Sequence, residues 1–180
     1  SNNNEPQKEP YLIIVVMGIS ASGKSTLGSA LAKSLGWEFL EGDDYHPQAN
    51  IEKMRSGTPL NDEDRLPWLR SINQSLDRLD RDGRNAVLAC SALKRRYREI
   101  LAQGIKQMRY VYLYGNPQLV RERIENRKGH FMPPELIDSQ IAAMEPPQNA
   151  IRVNIKQPVE TQAELVLQAL GRDKDVKISS

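Results

Sequence analysis

The chain has 180 residues, an ordinary apolar fraction of 39% and a formal net charge of +2 at pH 7. This length favours one domain with a core of useful size, and so small a charge gives no support for bulk binding to nucleic acid or to a membrane. The single cysteine, Cys90, excludes an internal disulfide and suits a reducing compartment, and no segment reaches membrane-spanning length. We therefore expect a cytoplasmic protein.

Short apolar segments alternate with helical patterns along the chain. We predict strands at 11–17, 37–40, 86–90, 110–114 and 151–155. We predict helices at 24–35, 50–56, from Pro67 to about Asp82, after Ser91, after Asn116-Pro117, from Pro133 to Met144 and at 159–170. Strands separated by helices imply a parallel sheet with helices on both faces. The predicted fold is an α/β three-layer sandwich with a parallel five-stranded sheet, in one domain at 11–171 between flexible tails at 1–10 and 172–180.

The stretch after the first predicted strand, Gly18 to Ser25, fits the phosphate-binding P-loop pattern G-x-x-x-x-G-K-[ST]. Glycines permit backbone conformations in which successive N–H groups point at phosphate oxygens, and the following helix adds about half a positive charge at its start. Lys24 is placed to contact the β- and γ-phosphates, and the Ser25 hydroxyl to ligate Mg2+. The residues predicted to bind a nucleoside triphosphate are Gly18, Ile19, Ser20, Ala21, Ser22, Gly23, Lys24, Ser25 and Thr26.

Other features of the sequence narrow the class of P-loop protein. The third predicted strand ends in Cys90-Ser91, and no predicted strand ends in the acidic residue that motor ATPases and GTPases use for Mg2+. No N-K-x-D motif for guanine occurs, and the chain is as small as kinases that act on metabolites. A motor or a switch GTPase is therefore disfavoured.

Two carboxylates, Glu41 and Asp43, follow the second predicted strand. Ligands of open α/β sheets bind at the carboxyl ends of the strands, so this pair should face the P-loop. One carboxylate can orient Mg2+ through water, and the other can accept the hydrogen bond of an attacking hydroxyl. A solvated acidic loop is the alternative, and the sequence leaves open whether Asp43 or Asp44 faces the site.

Longer motifs stand downstream of the P-loop. They are Gly42-Asp43-Asp44-Tyr45-His46-Pro47, Asn50, Lys53-Met54, Gly57, Pro59-Leu60, Asp62, Asp64-Arg65, Pro67-Trp68-Leu69, Cys90-Ser91-Ala92-Leu93-Lys94, Tyr97-Arg98 and Arg127-Lys128-Gly129-His130-Phe131. With the P-loop they resemble the gluconokinase family over about residues 12–170. That family phosphorylates the 6-hydroxyl of D-gluconate with ATP. The resemblance implies a fold like that of nucleoside monophosphate kinases, a small lid at about 123–134, ATP and Mg2+ as cofactors, and a homodimer.

The resemblance also implies residue roles. Asp43 is expected to orient or deprotonate the substrate hydroxyl, and the catalytic set is Lys24, Asp43 and Arg127. The expected sugar-acid pocket consists of Asp43, His46, Lys53, Arg65, Lys94 and Arg98, whose cations and mixed donors suit a polyol carboxylate. The lid arginines Arg123 and Arg127 are expected near the adenine and the transferring phosphates. Trp68 and Cys90 are expected to be buried packing residues.

Two other functions stay open from the sequence. A different small-molecule kinase on the same scaffold, for example of the shikimate or nucleoside monophosphate type, is disfavoured by the motifs at 42–69 and 90–98. A regulatory protein that binds ATP without transferring phosphate would release no ADP in response to an acceptor.

Overall fold

The computed structural model describes residues 11–126 and 133–172 of the chain. Its elements are, in chain order, β1 (Ile13–Met17), α1 (Lys24–Leu35), β2 (Glu38–Glu41), a 3-10 turn (Gly42–Tyr45), α2 (Gln48–Arg55), α3 (Asp62–Arg81), β3 (Ala86–Ala89), α4 (Arg95–Ala102), β4 (Met108–Tyr114), α5 (Pro117–Glu125), α6 (Pro134–Ala143), β5 (Ile151–Asn154) and α7 (Val159–Arg172). No helix in the described ranges is both long and apolar enough to cross a bilayer.

The five strands form one parallel sheet in the order β2-β3-β1-β4-β5. This confirms the predicted sheet. The chain adds β3 on one side of β1 and β4 on the other, so the strand order changes direction at β1. A crevice for ligands is expected over the carboxyl ends of the strands at such a point. The P-loop follows β1 directly and therefore lies at that crevice.

Helices cover both faces of the sheet, as the three-layer prediction required. On β1, Ile14 and Val16 belong to a buried cluster with Leu27 of α1 and Val166 of α7. The alternate β1 residues face a second cluster, which includes Ile72 of α3 and Tyr97 of α4. β1 is buried on both faces because it lies in the middle of the sheet, which explains its unbroken apolar run.

The predicted start of α3 at Pro67 was wrong, because the helix begins five residues earlier at Asp62. Asn61 caps it: its side chain accepts from the Asp64 N–H at 2.8 Å, and the Asp64 carboxylate accepts from the Asn61 N–H at 2.9 Å. This reciprocal capping box satisfies two N–H groups at the helix start. Pro67 then lies inside the helix, at the cost of one backbone hydrogen bond.

The remaining differences are at element boundaries. The 3-10 turn after β2 was not predicted, and α2 begins two residues before its predicted start at Asn50. Asn116 caps α5 through its side chain and Pro117 occupies the first helical turn, as predicted. The predicted break at Lys128-Gly129, half of the predicted lid, the first predicted tail and nearly all of the second lie outside the described residues.

Candidate active site

The carboxyl ends of β1, β2 and β3 open into one cavity of about 610 Å³. Ser20 and Lys24 of the P-loop line it, together with Gln140 of α6; these three residues are called the phosphate wall. Asp43, His46 and Arg65 also line it and are called the acceptor wall. Both groups of residues border one cavity, in which two substrates can meet.

The backbone of the P-loop has the conformation that its glycines were predicted to permit. At Gly18, with φ of 154°, an added Cβ would lie 2.8 Å from the Leu113 carbonyl oxygen, so the loop packs directly on the end of β4. Gly23 has a left-handed φ of 98° and precedes α1. No side chain caps α1 within the described ranges. The backbone N–H groups at the start of α1 are therefore suited to bind a phosphate group.

Two side-chain oxygens that could ligate a metal lie next to each other at the end of the P-loop. The Ser25 hydroxyl donates to Oε2 of Glu41, at the last position of β2. Mg2+ prefers oxygen ligands and keeps several waters and substrate phosphate oxygens in its coordination shell. Ser25 and Glu41 thus fit the metal that the P-loop implies.

The 3-10 turn after β2 holds Asp43 in the cavity wall. The Trp68 indole N–H donates to the Gly42 carbonyl at 2.7 Å, and a Cβ on Gly42 would lie 2.6 Å from the Ala89 carbonyl oxygen. The turn is therefore fixed between α3 and the end of β3. Asp43 and the neighbouring Asp44 are both exposed, but of the two only Asp43 lines the cavity that the structure describes.

His46 is held as a neutral imidazole. Its ring stacks on Trp68, with centroids 4.3 Å apart and planes at 13°. The Asn50 side-chain amide lies 3.2 Å from Nδ1 of His46 and also donates to the Asp64 carbonyl at 2.9 Å. Because that amide group is a donor, Nδ1 must accept and Nε2 carries the hydrogen. Burial lowers the pKa of His46, with Asp43 opposing and Arg65 reinforcing the shift.

Arg65 is fixed by a chain of side chains between α3 and α4. Its Nη1 donates to the Tyr97 hydroxyl at 2.9 Å, and that hydroxyl donates to Asp62. Lys94 donates to the same Asp62 carboxylate at 2.9 Å. The hydrogen bonds from Lys94 and Tyr97 lower the pKa of Asp62. Arg65 thus reaches the cavity as a cation with a fixed orientation.

The other cations predicted for the sugar-acid pocket do not line the described cavity. Lys53 pairs with Asp64 at 2.6 Å, and Lys94 pairs with Asp62. Arg98 is buried and donates to the carbonyls of Ala92, at 2.7 Å, and Glu145, at 2.9 Å. In this structure these three side chains join neighbouring elements, and their contact with a substrate stays a prediction.

Of the two lid arginines, only Arg123 lies in the described part of the chain. Its Nη2 donates to the Ile155 carbonyl at 2.6 Å, just past the end of β5. Arg127, the third member of the predicted catalytic set, lies outside the described residues. Lys24 and Asp43, the other two members, line the same cavity.

Asn50, Tyr97 and Gln140 were not predicted as parts of the site. Each of them acts on a functional residue that is distant along the chain or on another element, so local periodicity gave no signal. The two predicted packing residues are confirmed: Trp68 and Cys90 are 2% and 1% exposed. Burial also raises the pKa of the Cys90 thiol to about 12, which makes it unreactive at neutral pH.

A P-loop at the crevice of a parallel sheet, facing a wall with a carboxylate, an imidazole and an arginine, defines a small-molecule kinase of the P-loop class. Residues 13–147 match the family model described as an AAA domain. The gluconokinase of Gluconobacter oxydans (strain 621H) is 46% identical over 134 residues, which are 74% of this chain and 75% of that protein. The chain belongs to the gluconokinase family.

Solved structures agree with this assignment. The crystal structure of a gluconokinase from Sinorhizobium meliloti 1021 is 39% identical and has a TM-score of 0.82, covering 91% of this chain and 94% of that one. The shikimate kinase from Bacteroides thetaiotaomicron is 18% identical with a TM-score of 0.65, covering 89% of this chain and 98% of that one. The second likeness is one of fold alone.

Proposed function

We propose that this protein transfers the γ-phosphoryl group of ATP to the 6-hydroxyl of D-gluconate, giving 6-phospho-D-gluconate. The observation that carries the proposal is one cavity lined both by Lys24 of the P-loop and by Asp43, His46 and Arg65. Gluconate combines a carboxylate with a chain of hydroxyls, so it needs a cation together with mixed donors and acceptors. The acceptor wall supplies these groups, and family membership supports the same substrate.

The phosphate side of the reaction rests on the P-loop. The N–H groups at the start of α1 and the Lys24 ammonium bind the phosphates, and Ser25 with Glu41 provides oxygen ligands for Mg2+. Mg2+, when bound, would neutralise charge that develops on the β- and γ-phosphate oxygens. Lys24 adds a fixed positive charge on the same side, where it stabilises the transition state more than the ground state.

On the acceptor side, Asp43 accepts the hydrogen bond of the attacking hydroxyl and aims its oxygen. Phosphoryl transfer passes through a loose transition state with little need for early proton removal, so the main contribution of Asp43 is positioning. Arg65 binds the gluconate carboxylate through the N–H groups that Tyr97 leaves available. His46 donates Nε2–H to a substrate hydroxyl.

Several expectations from the family stay predictions. They are the role of Arg127 near the transferring phosphates, the lid at about 123–134, the homodimer and the cytoplasmic location. A lid would exclude water, which otherwise competes with gluconate as phosphoryl acceptor.

The test is ADP release by the full chain with ATP and Mg2+, with and without D-gluconate, beside shikimate, AMP and other sugar acids. We expect stimulation by gluconate. Stimulation by shikimate or AMP instead would still agree with a kinase but would show that gluconate is not the acceptor. ATP binding without any acceptor-dependent ADP release would favour the regulatory alternative.

A pair of neighbouring variants tests the assignment of the carboxylate. Asp43→Ala is expected to lower kcat by about 100-fold or more, because a group aimed at the reacting oxygen is lost. Asp44→Ala is the matched control, since Asp44 is exposed beside the cavity wall. Near-normal turnover in Asp43→Ala, with a loss in Asp44→Ala, would move the role to Asp44.

A further inference from the structure

One contact on the phosphate wall has no role in the function proposed above. The Ser20 backbone N–H donates to Oε1 of Gln140 at 2.7 Å. Ser20 lies inside the P-loop and Gln140 lies on α6, 120 positions further along the chain. Both residues line the cavity with Lys24. A side chain from a distant helix therefore contacts the loop that binds phosphate.

The chemistry of this contact fixes the orientation of the Gln140 amide. A backbone N–H can only donate, so the oxygen of the amide must face Ser20. The amide nitrogen, with two hydrogens, is then on the opposite side of the group. Because Gln140 is half-buried and lines the cavity, this nitrogen is available to a ligand that lies beside Ser20 and Lys24.

Two roles can be separated for such a residue. If Gln140 only holds the loop, an acceptor oxygen is enough, and a glutamate would hold the Ser20 N–H at least as well. If the nitrogen also donates to a ligand, a glutamate would replace a donor by a negatively charged acceptor. Next to a phosphate, that exchange is unfavourable because two negative charges would repel each other.

We propose that Gln140 is a further ATP-binding residue, which holds Ser20 through Oε1 and donates from Nε2 to an oxygen of the γ-phosphoryl group. The inference deepens the proposed function and rests on ATP as the phosphoryl donor. The amide is suited to this place because it satisfies the loop N–H and a phosphate oxygen at once without adding charge. Asp43 already places a carboxylate in the same cavity, so a second one would increase repulsion of the phosphate.

The test compares the binding of a non-hydrolysable ATP analogue and of ADP, each with Mg2+, by calorimetry on the full chain. For Gln140→Glu we expect the affinity for the ATP analogue to fall by about tenfold or more and the affinity for ADP by less than about twofold. Gln140→Ala should show a smaller loss for the analogue. Gln168→Glu is the matched control, because it makes the same charge change at an exposed position of α7.

Two other outcomes are possible, and each would contradict the proposed contact between Gln140 and the γ-phosphoryl group. Unchanged affinity for both nucleotides in Gln140→Glu, with a loss in Gln140→Ala, would show that Gln140 only holds the loop. Equal losses for the analogue and for ADP in Gln140→Glu would show a general disturbance of the P-loop, and a lowered thermal midpoint would accompany it.

This experiment is independent of the acceptor. If gluconate fails to stimulate ADP release while Gln140→Glu discriminates against the ATP analogue, the proposed acceptor is wrong and the role of Gln140 stands. If the unmodified chain phosphorylates gluconate and Gln140→Glu binds both nucleotides normally, only the inference fails. A chain that binds neither nucleotide would overturn both.

Discussion

The two walls of the cavity are built in different ways. Two of the three residues of the phosphate wall, Ser20 and Lys24, belong to one continuous stretch, Gly18 to Ser25, in which α1 begins without a side-chain cap in the described ranges. The acceptor wall is made of side chains from the 3-10 turn, the segment after it and α3. Two of its three side chains are held by further side chains: Arg65 by Tyr97, and His46 by Asn50 and Trp68.

This difference follows from what each wall binds. A phosphate is recognised by charge and by a ring of N–H donors, which a short loop and a helix start can supply by their backbone alone. A sugar acid is recognised by the direction of individual hydrogen bonds, so its contacts must be held in fixed orientations. Damage to the phosphate wall should therefore remove turnover, whereas damage to the support of the acceptor wall should weaken binding of the acceptor.

The largest effect is expected from Lys24→Ala. Loss of the ammonium that we propose to bind the phosphates should lower kcat by about 1000-fold, while the fold stays intact. The measurement is gluconate-dependent ADP release together with the thermal midpoint. Lys33→Ala is the control, since Lys33 is an exposed residue in the last turn of the same helix. A kcat within about tenfold of the unmodified chain would remove Lys24 from the catalytic set.

Tyr97→Phe tests whether the support of the acceptor wall acts on binding. Without the hydroxyl, Arg65 loses the acceptor that orients it, and we expect KM for gluconate to rise about threefold to tenfold with little change in kcat or in KM for ATP. Steady-state kinetics with each substrate varied in turn provides the measurement. Tyr110→Phe is the matched control, because its hydroxyl donates to the Arg98 carbonyl at 3.2 Å and does not contact Arg65.

The outcome that contradicts this prediction is a similar rise of KM for both substrates in Tyr97→Phe. It would show that the chain of contacts from Arg65 to Asp62 supports the fold of α3 and α4 without a preference for the acceptor. The comparison between the two walls would then lose its main support.

The same contrast explains what could be predicted from the sequence. The P-loop, its flanking strand and helix, and the parallel sheet were predictable because periodicity and a contiguous motif determine them. Asp43, His46 and Arg65 were named from longer motifs, and all three line the cavity. The partners Tyr97 and Gln140 were not predicted as site residues, because tertiary contacts bring them there; Asn50 lies only four residues after His46, but periodicity does not show which side chain its amide contacts. The start of α3 was misplaced because a capping box at Asn61 outweighs the rule that a proline marks a helix start.

The pH dependence of stability tests the neutral state of His46. Its pKa in the folded chain lies below the ordinary value of 6.5, so the unfolded chain binds more protons in the interval between the two values. The contribution of neutral His46 to the free energy of unfolding is therefore complete above pH 6.5. It is lost as the pH falls through the lowered pKa. One such group changes the free energy of unfolding by at most about 1.4 kcal/mol per pH unit.

We expect His46→Gln to flatten the fall in stability below pH 6.5, measured by chemical denaturation at several pH values. The only other histidine, His130, gives the control variant His130→Gln. Protonation of Nδ1 would also place two hydrogen-bond donors, the new N–H of His46 and the N–H of the Asn50 amide, against each other. We therefore expect KM for gluconate to rise over the same pH range. An unchanged pH profile in His46→Gln would show that this imidazole is not held in its neutral form.

The smallest effect concerns the backbone of the P-loop. Ala21 has a φ of 60°, in the left-handed region that costs a residue with a side chain about 1–2 kcal/mol. Ala21→Gly removes this strain but adds freedom to the unfolded chain that costs about 0.4–1 kcal/mol. The net expectation is an increase of about 0.5–1 kcal/mol in the free energy of unfolding, measured by chemical denaturation.

Ala92→Gly provides the comparison, because Ala92 also has a positive φ, 45°, but its side chain is fully buried. There the lost burial of the methyl group offsets the relief of strain, so Ala92→Gly should stabilise the chain less than Ala21→Gly, or destabilise it. If Ala21→Gly is the more destabilising of the two, the P-loop backbone holds no relievable strain at this position. The P-loop would then depend on the Ala21 side chain as well as on its backbone, which would weaken the contrast with the acceptor wall.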